Sequence, residues 1–418
     1  MRYTALKILE NILNNGKYSN LELAGGMENL SDKDKALATN IVYGVLQNKS
    51  RLDHIISAYS KIPLKKVSSD VLNILRMGVY QALFMDKIPA YAITNESIKM
   101  VKKCKKTSAS GFVNAVLRGV MRDDKKVEYP SDRLEYLSIY YSCPLWICKM
   151  WDKMFPGKLE EILASMNEKP DFTVRVNTLK MSVEEFISQR GGEKSPLCED
   201  VVILPSGANL KNDELFKKGC YYPQDSASAM VSVLLDPQKG QTVMDLCAAP
   251  GGKTTHIAQL MQNDGKIIAF DIHEHKLDII NETARRLGID IISAEQADAG
   301  VLQEKYVGMA DRVLVDAPCS GLGILRRKPE IKYTKNESDM KELAKIQLKI
   351  LSVAAQYLKP GGVMVYSTCT VSDVENNAVT QAFLEENKNF KLDAEPTQIL
   401  PCDGGADGFY MAKFIKTR

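Results

Sequence analysis

The chain has 418 residues, of which 45% are hydrophobic and 26% are charged, so it can form two or three globular domains with sizeable cores. No apolar run approaches the length of a membrane span, and the charged first residues do not resemble a secretory signal. Nine cysteines without a CxxC pair and four scattered histidines argue against a disulfide framework and a metal site, and they predict a reducing, cytoplasmic setting.

Charge is distributed unevenly along the chain. Residues 1–126 contain 21 Lys and Arg against 11 Asp and Glu, a balance of +10, whereas the remainder contains 34 against 41, a balance of −7. A basic first part predicts contact with a polyanion such as nucleic acid. The alternative is a set of solvated, lysine-rich helix faces.

Residues 1–130 are predicted to form an all-helical domain. Apolar residues recur every three or four positions in ALKILENIL, ALATNIVYGVLQ, VLNILRMGVYQALF and FVNAVLRGVM, and strand-like alternation is absent. This domain carries a lysine cluster between positions 99 and 106. The polar stretch at 123–132 is predicted to be a linker.

The rest of the chain is predicted to form two further parts. Residues 131–220 show a mixed pattern, with helices expected at 145–167 and 182–190 and a strand in FTVRVNTLK, which indicates a small α+β subdomain. In residues 221–418, short apolar runs such as TVMDLC, KIIAFDI and ADRVLVDAP alternate with helical segments. This alternation predicts an α/β domain with an open, mostly parallel, Rossmann-like sheet that has helices on both faces.

A loop of small residues in MDLCAAPGGKTTHIA (244–258) is predicted to join the first of these strands to a helix. Gly251 and Gly252 let the backbone approach a ligand, and the helix N-terminus that follows favours a polar or anionic group. A phosphate-binding P-loop is excluded because Cys247 stands where its first glycine belongs, and the loop has no G-x-G-x-x-G spacing for a dinucleotide.

An aspartate stands near the end of each of four predicted strands, at Asp245, Asp271, Asp298 and Asp316. Ligands of open α/β sheets bind at the carboxyl ends of the strands. Asp271 is suited to accept the hydroxyls of a ribose and Asp298 the exocyclic amine of an adenine, so the series predicts a nucleoside ligand. The alternative is that these aspartates only cap the helices that follow them.

Two cysteines follow predicted strands, in VDAPCSGLG (315–323) and VYSTCTVS (365–372). A thiolate at such a position can act as a nucleophile, and a positive neighbour such as Lys253 would favour its ionised form. The residues alone do not decide whether Cys319 or Cys369 attacks, and a free cysteine can also be a small buried hydrophobic residue.

Several motifs together carry a family resemblance. DLCAAPGGKT, VDAPCSGLG, YSTCT, DGFYMAKF and YYPQDSASAM resemble the S-adenosylmethionine-dependent RNA cytosine-5 methyltransferases. LRMGVYQALFMDKIPAYAITNESIKMVKK followed by GFVNAVLRG resembles the N-terminal NusB-like domain of one subgroup, the bacterial 16S rRNA enzymes called RsmB, Sun or Fmu. The resemblance therefore covers nearly the whole chain, with a NusB-like bundle, a small RNA-facing subdomain and a catalytic domain.

The resemblance implies S-adenosyl-L-methionine as the cofactor, with methylation of carbon 5 of a cytosine, expected at position 967 of 16S rRNA. It implies that Cys369 is the nucleophile, that Cys319 assists product release and that Asp316 faces the target base and shares a proton with it. The cofactor-binding residues it implies are Cys247, Ala248, Ala249, Pro250, Gly251, Gly252, Lys253, Asp271, Asp298 and Asp316. DNA cytosine-5 methyltransferases place their nucleophile in a Pro-Cys loop, which would instead nominate Cys319.

The expected partner is 16S rRNA, naked or in a partly assembled small subunit, acted on by a monomer without metal or membrane. The candidate RNA-binding residues are Arg175, Asn177, Arg326, Arg327, Lys328, Lys102, Lys103, Lys105 and Lys106, and a solvated charge run is the alternative for each basic group. Two other functions remain open: a cytosine-5 methyltransferase for another rRNA position or tRNA, and a non-catalytic RNA-binding regulator with a NusB-like domain.

Overall fold

The structure is a computed structural model that describes residues 1–122, 127–205 and 210–417. The first four residues of the predicted linker, 123–126, lie outside the described residues. Within the described ranges, no helix combines the length and apolar character that crossing a membrane would need.

Among the described residues, ten α-helices precede β1 (Phe172–Val176). They are α1 (Arg2–Asn15), α2 (Ser19–Gly26), α3 (Asp32–Gln47), α4 (Lys49–Tyr59), α5 (Ser69–Phe84), α6 (Ala90–Lys103), α7 (Ser110–Arg122), α8 (Arg133–Tyr140), α9 (Leu145–Met154) and α10 (Leu159–Ser165).

Strands and helices then mix. After β1 come α11 (Val183–Arg190), β2 (Glu193–Lys194), β3 (Val201–Leu204), α12 (Glu214–Lys217), β4 (Tyr221–Pro223), α13 (Ser226–Leu235), β5 (Thr242–Asp245), α14 (Gly252–Leu260), β6 (Lys266–Asp271), α15 (Glu274–Leu287), β7 (Ile292–Gln296), β8 (Ala310–Asp316), α16 (Ile331–Thr334), α17 (Glu337–Tyr357), β9 (Leu358–Thr368), α18 (Asn377–Glu386), β10 (Phe390–Leu392), β11 (Thr397–Ile399) and β12 (Phe409–Lys416).

The chain divides into two compact units, and the division differs from the predicted domain boundaries. The first unit contains Met1–Glu168 together with Leu325–Lys335, and the second contains Lys169–Ile324 and Asn336–Arg418. Helices α8 to α10, which the sequence assigns to the small subdomain, therefore group with the N-terminal helices. Only the sheet part of that subdomain groups with the second unit.

The helical unit buries the three- and four-residue apolar repeats seen in the sequence. Its core runs from Leu6 and Leu9 of α1 through Ile41 of α3 and Ile74 of α5 to Val116 of α7, all buried. The described start of α3 is capped by the Ser31 side chain, and α1 stops where Gly16 adopts a left-handed conformation with φ 66°.

The second unit contains two sheets. The smaller has the order β2-β3-β1-β4 with antiparallel pairs. The larger has the order β10-β12-β9-β8-β5-β6-β7, with β11 beside β12; strands β5 to β9 run parallel and the pairs made by β12 are antiparallel. This confirms the predicted open, mostly parallel sheet.

The larger sheet is buried on both faces, which explains its continuous apolar strands. Along β8, Val313 and Val315 pack into a core that includes α17, while Leu314 packs on the opposite face into a core that includes α13 and α14. Because β5 to β9 are parallel, all their carboxyl ends meet at one edge, and the predicted site residues lie there.

Candidate active site

Four aspartates mark the carboxyl edge of the parallel sheet, as the sequence predicts. Asp245, Asp271 and Asp316 are the last residues of β5, β6 and β8, and Asp298 lies two residues beyond the end of β7. Asp245 and Asp271 are buried, whereas Asp298 is exposed at the rim. The edge is therefore lined with carboxylates that differ in their access to solvent.

The small-residue loop between β5 and α14 folds back against the neighbouring strand. The Ala248 amide donates to the Phe270 carbonyl at 2.8 Å, and Gly251 closes the turn with an amide bond of 2.7 Å to the Ala248 carbonyl. Gly251 has a φ of 99°, which a glycine adopts without strain. A Cβ atom at Gly252 would lie 3.0 Å from the Tyr222 ring, so a larger residue at this position would require the ring to move.

These loop residues fit an S-adenosylmethionine site. The first amides of a helix lack carbonyl partners within the helix, so those at the start of α14 can donate to a polar group of a ligand. Asp271, at the end of β6, occupies the position where a carboxylate holds ribose hydroxyls in dinucleotide folds. One of its oxygens accepts the His273 amide at 3.0 Å, and Lys276 stands 3.7 Å from the same oxygen, so the carboxylate is held in place.

Asp316 forms the polar centre of the edge. Lys253 donates to its Oδ2 at 2.7 Å, and the Ser367 hydroxyl at the end of β9 donates to its Oδ1 at 2.8 Å. Burial lowers the pKa of Lys253, but the charges of Asp316, Cys369 and Asp245 outweigh it and leave that pKa raised. An ammonium is thus kept next to the two strands that carry the cysteines.

Asp245 is buried deeper, with 1% of its surface exposed. Burial raises its pKa to about 7. The Thr254 hydroxyl donates to Asp245 at 2.7 Å and favours the charged form, so this hydrogen bond opposes part of the rise. The charge of Asp316 adds to the rise. Asp245 therefore ties the first turn of α14 to the end of β5.

The two cysteines that the sequence singles out are neighbours. The Cys319 and Cys369 sulfurs lie 3.3 Å apart, although fifty residues separate them in the chain. The hydrogen bond with Cys369 raises the pKa of Cys319 well above its ordinary value, and burial and the charge of Cys369 add to this rise. Cys319 accordingly gives up its proton less readily than an ordinary thiol.

Cys247 has a different setting from these two. Its amide donates to Asp245 at 3.4 Å and its side chain packs against the core that includes α17. Burial raises its pKa well above the ordinary value, and the surrounding aspartates add to this effect. It is a packed thiol whose backbone belongs to the cofactor loop.

Two of the predicted RNA contacts need correction because their side chains are buried. Arg175 is 1% exposed, and its guanidinium donates to Gln224, to the Gly252 carbonyl at 2.6 Å and to the Thr255 hydroxyl at 3.0 Å. Asn177 is 2% exposed and donates to the Gly219 and Leu287 carbonyls. These groups support the cofactor loop and its surroundings instead of facing a phosphate.

Arg326 also departs from the prediction, since it is buried within the helical unit. Arg327 and Lys328 are partly buried in the same unit, and the Lys328 ammonium lies 5.6 Å from the Tyr18 ring centroid. The exposed members of the predicted set are Lys102, Lys103, Lys105 and Lys106, and the first two of them belong to α6.

Glu375, Asn376 and Thr370 were not singled out from the sequence. All three are buried, and they bond to the loops that hold the two cysteines. The only local signal is a polar sequence, DVENN, that follows YSTCT. In the sequence such a run is typical of a surface loop, whereas in the fold its Glu375 side chain bonds to Ser320, the residue after Cys319.

The sheet order, the glycine loop and the strand-end aspartates define the class as a Rossmann-like, S-adenosylmethionine-dependent methyltransferase. Comparison with known proteins agrees. Family models match at residues 1–122 (NusB family), 143–209 (Methyltr_RsmF/B-like, ferredoxin-like domain) and 232–415 (16S rRNA methyltransferase RsmB/F).

Full-length relatives make the assignment specific. The probable ribosomal RNA small subunit methyltransferase B of Bacillus subtilis is 38% identical over 100% of this chain and 98% of its own length. The ribosomal RNA small subunit methyltransferase B of Klebsiella pneumoniae is 33% identical over the same shares. The crystal structure of PH0851 covers 99% of this chain and 98% of its own, with 27% identity and a TM-score of 0.84. The chain belongs to the RsmB/F family of 16S rRNA methyltransferases.

Proposed function

We propose that this protein methylates carbon 5 of a cytosine in 16S rRNA through a covalent bond between Cys369 and carbon 6 of the base. The observation that carries the proposal is the pair of thiols 3.3 Å apart beside the Lys253–Asp316 ion pair. The names of the full-length relatives supply the substrate class, and cytosine 967 is the expected position. S-adenosyl-L-methionine, when bound, supplies an electrophilic methyl group.

Carbon 5 of cytosine is a weak nucleophile, and addition of the Cys369 thiolate to the ring makes this carbon more nucleophilic. Cys369 adds to carbon 6 and forms a carbon–sulfur bond, which pushes electron density onto carbon 5 so that it can accept the methyl group. The Lys253 ammonium, whose pKa is raised, is a positive neighbour that favours the Cys369 thiolate. Asp316 is held by Lys253 and Ser367 in a fixed orientation from which it can meet the base.

Product release requires removal of the hydrogen from carbon 5 and loss of the Cys369 sulfur. Cys319 is suited to take that proton. The first cause of its raised pKa is the bond with Cys369, and this cause disappears once Cys369 is joined to the base. Cys319 then releases its proton to water more readily. Its thiolate removes the carbon 5 proton, and the electrons of the broken carbon–hydrogen bond form the carbon 5–carbon 6 double bond and expel Cys369 as a thiolate.

RNA contact is assigned to the exposed lysines of the helical unit. Lys102, Lys103, Lys105 and Lys106 are exposed and belong to the part of the chain with the positive balance. Such groups contribute sequence-independent, salt-sensitive binding to phosphates. The substrate is naked 16S rRNA or a partly assembled small subunit, and a monomer is sufficient because both thiols come from one chain.

Bisulfite sequencing of rRNA and tRNA from a strain that lacks the gene tests the proposal. We expect one 16S rRNA cytosine to lose its methyl group and to regain it when the gene is restored. Loss at another rRNA position or in tRNA would retain the chemistry and change the substrate. Loss at no cytosine in any RNA would refute the proposed function.

A further inference from the structure

The Cys319 loop is attached to the residue that follows Cys369. The Thr370 hydroxyl accepts the Leu322 amide at 3.2 Å and pairs with the Ser320 hydroxyl at 2.7 Å. The Gly323 amide adds a bond of 3.0 Å to the Cys369 carbonyl. The two cysteine loops are thus joined directly through buried polar groups.

Glu375 holds both neighbours of Cys319. Its carboxylate, fully buried, accepts the Ser320 amide at 2.8 Å and the Ser320 hydroxyl at 2.5 Å. The Gln347 amide donates to Glu375 at 3.2 Å and to the Pro318 carbonyl at 2.9 Å. Pro318 and Ser320, the residues on either side of Cys319, are therefore fixed by one network around this carboxylate.

Asn376 holds the two residues on either side of Cys369, Thr368 and Thr370. Its side-chain oxygen accepts the Thr368 hydroxyl at 2.7 Å, and its nitrogen donates to the Thr370 carbonyl at 3.1 Å. A second bond of 2.8 Å from that nitrogen to Gln398 orients the amide. Only 1% of Asn376 is exposed, so its contacts are with the protein interior.

We propose that Glu375 and Asn376 are positioning residues, each of which fixes the neighbours of one cysteine so that the two sulfurs stay at reaction distance. Because the two residues are consecutive in the chain, a shift of one cysteine loop relative to the other must strain the segment that joins them. This assignment rests on the proposed function, since it gives the two thiols their successive tasks. Both side chains are buried, so we assign them an effect through the neighbours of the cysteines and not direct chemistry on the base.

The Glu375 carboxylate has an electrostatic effect as well. Its charge raises the pKa of Cys319, after the larger effects of the Cys369 hydrogen bond and burial. A buried anion beside Cys319 therefore helps to hold the proton there while Cys369 is free to attack. Glu375 contributes to the order in which the two thiols act.

The variant Glu375→Gln separates charge from shape. The glutamine oxygen can accept the Ser320 amide, and its nitrogen can donate to the Ser320 hydroxyl, which then turns toward Thr370. We expect the pH at which half of Cys319 is alkylated by iodoacetamide to fall, because a negative charge that raises the pKa of Cys319 is removed. Peptide mass spectrometry of the full chain, without RNA, reads each cysteine separately.

Thr380→Val is the matched control for this experiment. Thr380 is fully buried in α18, and its hydroxyl bonds to the Tyr410 hydroxyl at 2.9 Å. Its amide bonds to the Asn376 carbonyl at 3.0 Å, and the substitution to Val leaves this backbone bond in place. We expect its Cys319 alkylation curve to match that of the wild type. An unchanged curve in Glu375→Gln, or an equal shift in Thr380→Val, would overturn the role of Glu375.

Asn376→Asp keeps the size of the side chain but turns the donor to Thr370 into an acceptor. With Cys319→Ala present in both proteins so that the adduct accumulates, we expect covalent RNA adduct formation through Cys369 to slow about tenfold, while the dissociation constant of S-adenosylmethionine stays within about twofold. A parallel loss of cofactor affinity, or the same slowing in Thr380→Val, would show a merely structural role. If the Cys319→Ala protein forms no adduct with any RNA, the proposed function fails, and the alkylation curves still decide the role of Glu375.

Discussion

Asp245 shows how burial sets the chemistry of a single residue at this sheet edge. Its pKa is raised to about 7 by burial, whereas the ordinary value is 3.8. Between pH 4 and 7 the folded protein therefore holds a proton that the unfolded chain has released. The contribution of Asp245 to the free energy of unfolding therefore falls as pH rises through this window, and the effect ends above the folded pKa.

The variant Asp245→Asn should lack this loss of stability. We expect the free energy of unfolding of the variant, minus that of the wild type, to rise by roughly 1.4 kcal/mol per pH unit between pH 4 and 7. Urea unfolding of both proteins across this range measures it. His256, whose pKa is lowered to about 4 by burial, titrates in both proteins and cancels in the difference. Parallel curves for the two proteins would contradict the assignment.

At the scale of elements, Arg175 connects β1 of the small sheet to the first turn of α14. It donates to the Gly252 carbonyl and the Thr255 hydroxyl, and Thr255 in turn bonds to the Gly251 carbonyl at 2.7 Å. We expect Arg175→Met to weaken S-adenosylmethionine binding about tenfold, because two groups at the start of the helix lose a charged donor. Isothermal titration calorimetry measures the change.

Arg286→Met is the control for Arg175. Arg286 donates to the Phe216 and Tyr221 carbonyls and stacks over the Phe216 ring, without a bond to the loop that starts α14. It should lower the melting temperature and leave the dissociation constant of the cofactor within about twofold. Equal weakening of cofactor binding by both variants would mean that general destabilisation explains the effect.

The elements differ in how far the sequence predicts them. Asp271 and Asp316 could be placed at strand ends because strand and helix alternate regularly between residues 242 and 368. Arg175 could not be assigned to the interior, since the alternating run FTVRVNTLK does not tell which face of a strand is covered. Glu375 was missed because its partners, Ser320 and Gln347, come from distant parts of the chain.

At the scale of the whole molecule, the segment Leu325–Lys335 groups with the helical unit although it follows the Cys319 loop in the chain. Lys332 is buried and donates to the Gln47 carbonyl and the Asn167 side chain, and the Tyr333 hydroxyl donates to the Leu46 carbonyl. From the sequence, Arg326, Arg327 and Lys328 of this segment are predicted to contact RNA, with a solvated charge run as the alternative, whereas in the structure Arg326 is buried and the other two are partly buried.

Residues 325–335 should therefore stabilise the helical unit, although they are far from residues 1–168 in the sequence. We expect residues 1–168, produced alone, to melt at a higher temperature when a peptide of residues 325–335 is added, because binding to the folded state raises its stability. A peptide with Lys332→Ala and Tyr333→Ala should have no effect. An equal rise with both peptides, or none with either, would contradict the observed packing. Differential scanning fluorimetry measures the melting temperatures.

If Cys369 attacks the base and Cys319 releases it, the covalent intermediate can be trapped in only one of the two cysteine variants. The Cys319→Ala and Cys369→Ala proteins are each incubated with unmodified 16S rRNA and S-adenosylmethionine, and the protein–RNA adduct is resolved by denaturing gel electrophoresis. Cys319→Ala should accumulate an adduct because the last step is blocked, and Cys369→Ala should form none. An adduct in Cys369→Ala and none in Cys319→Ala would contradict the account and exchange the two roles.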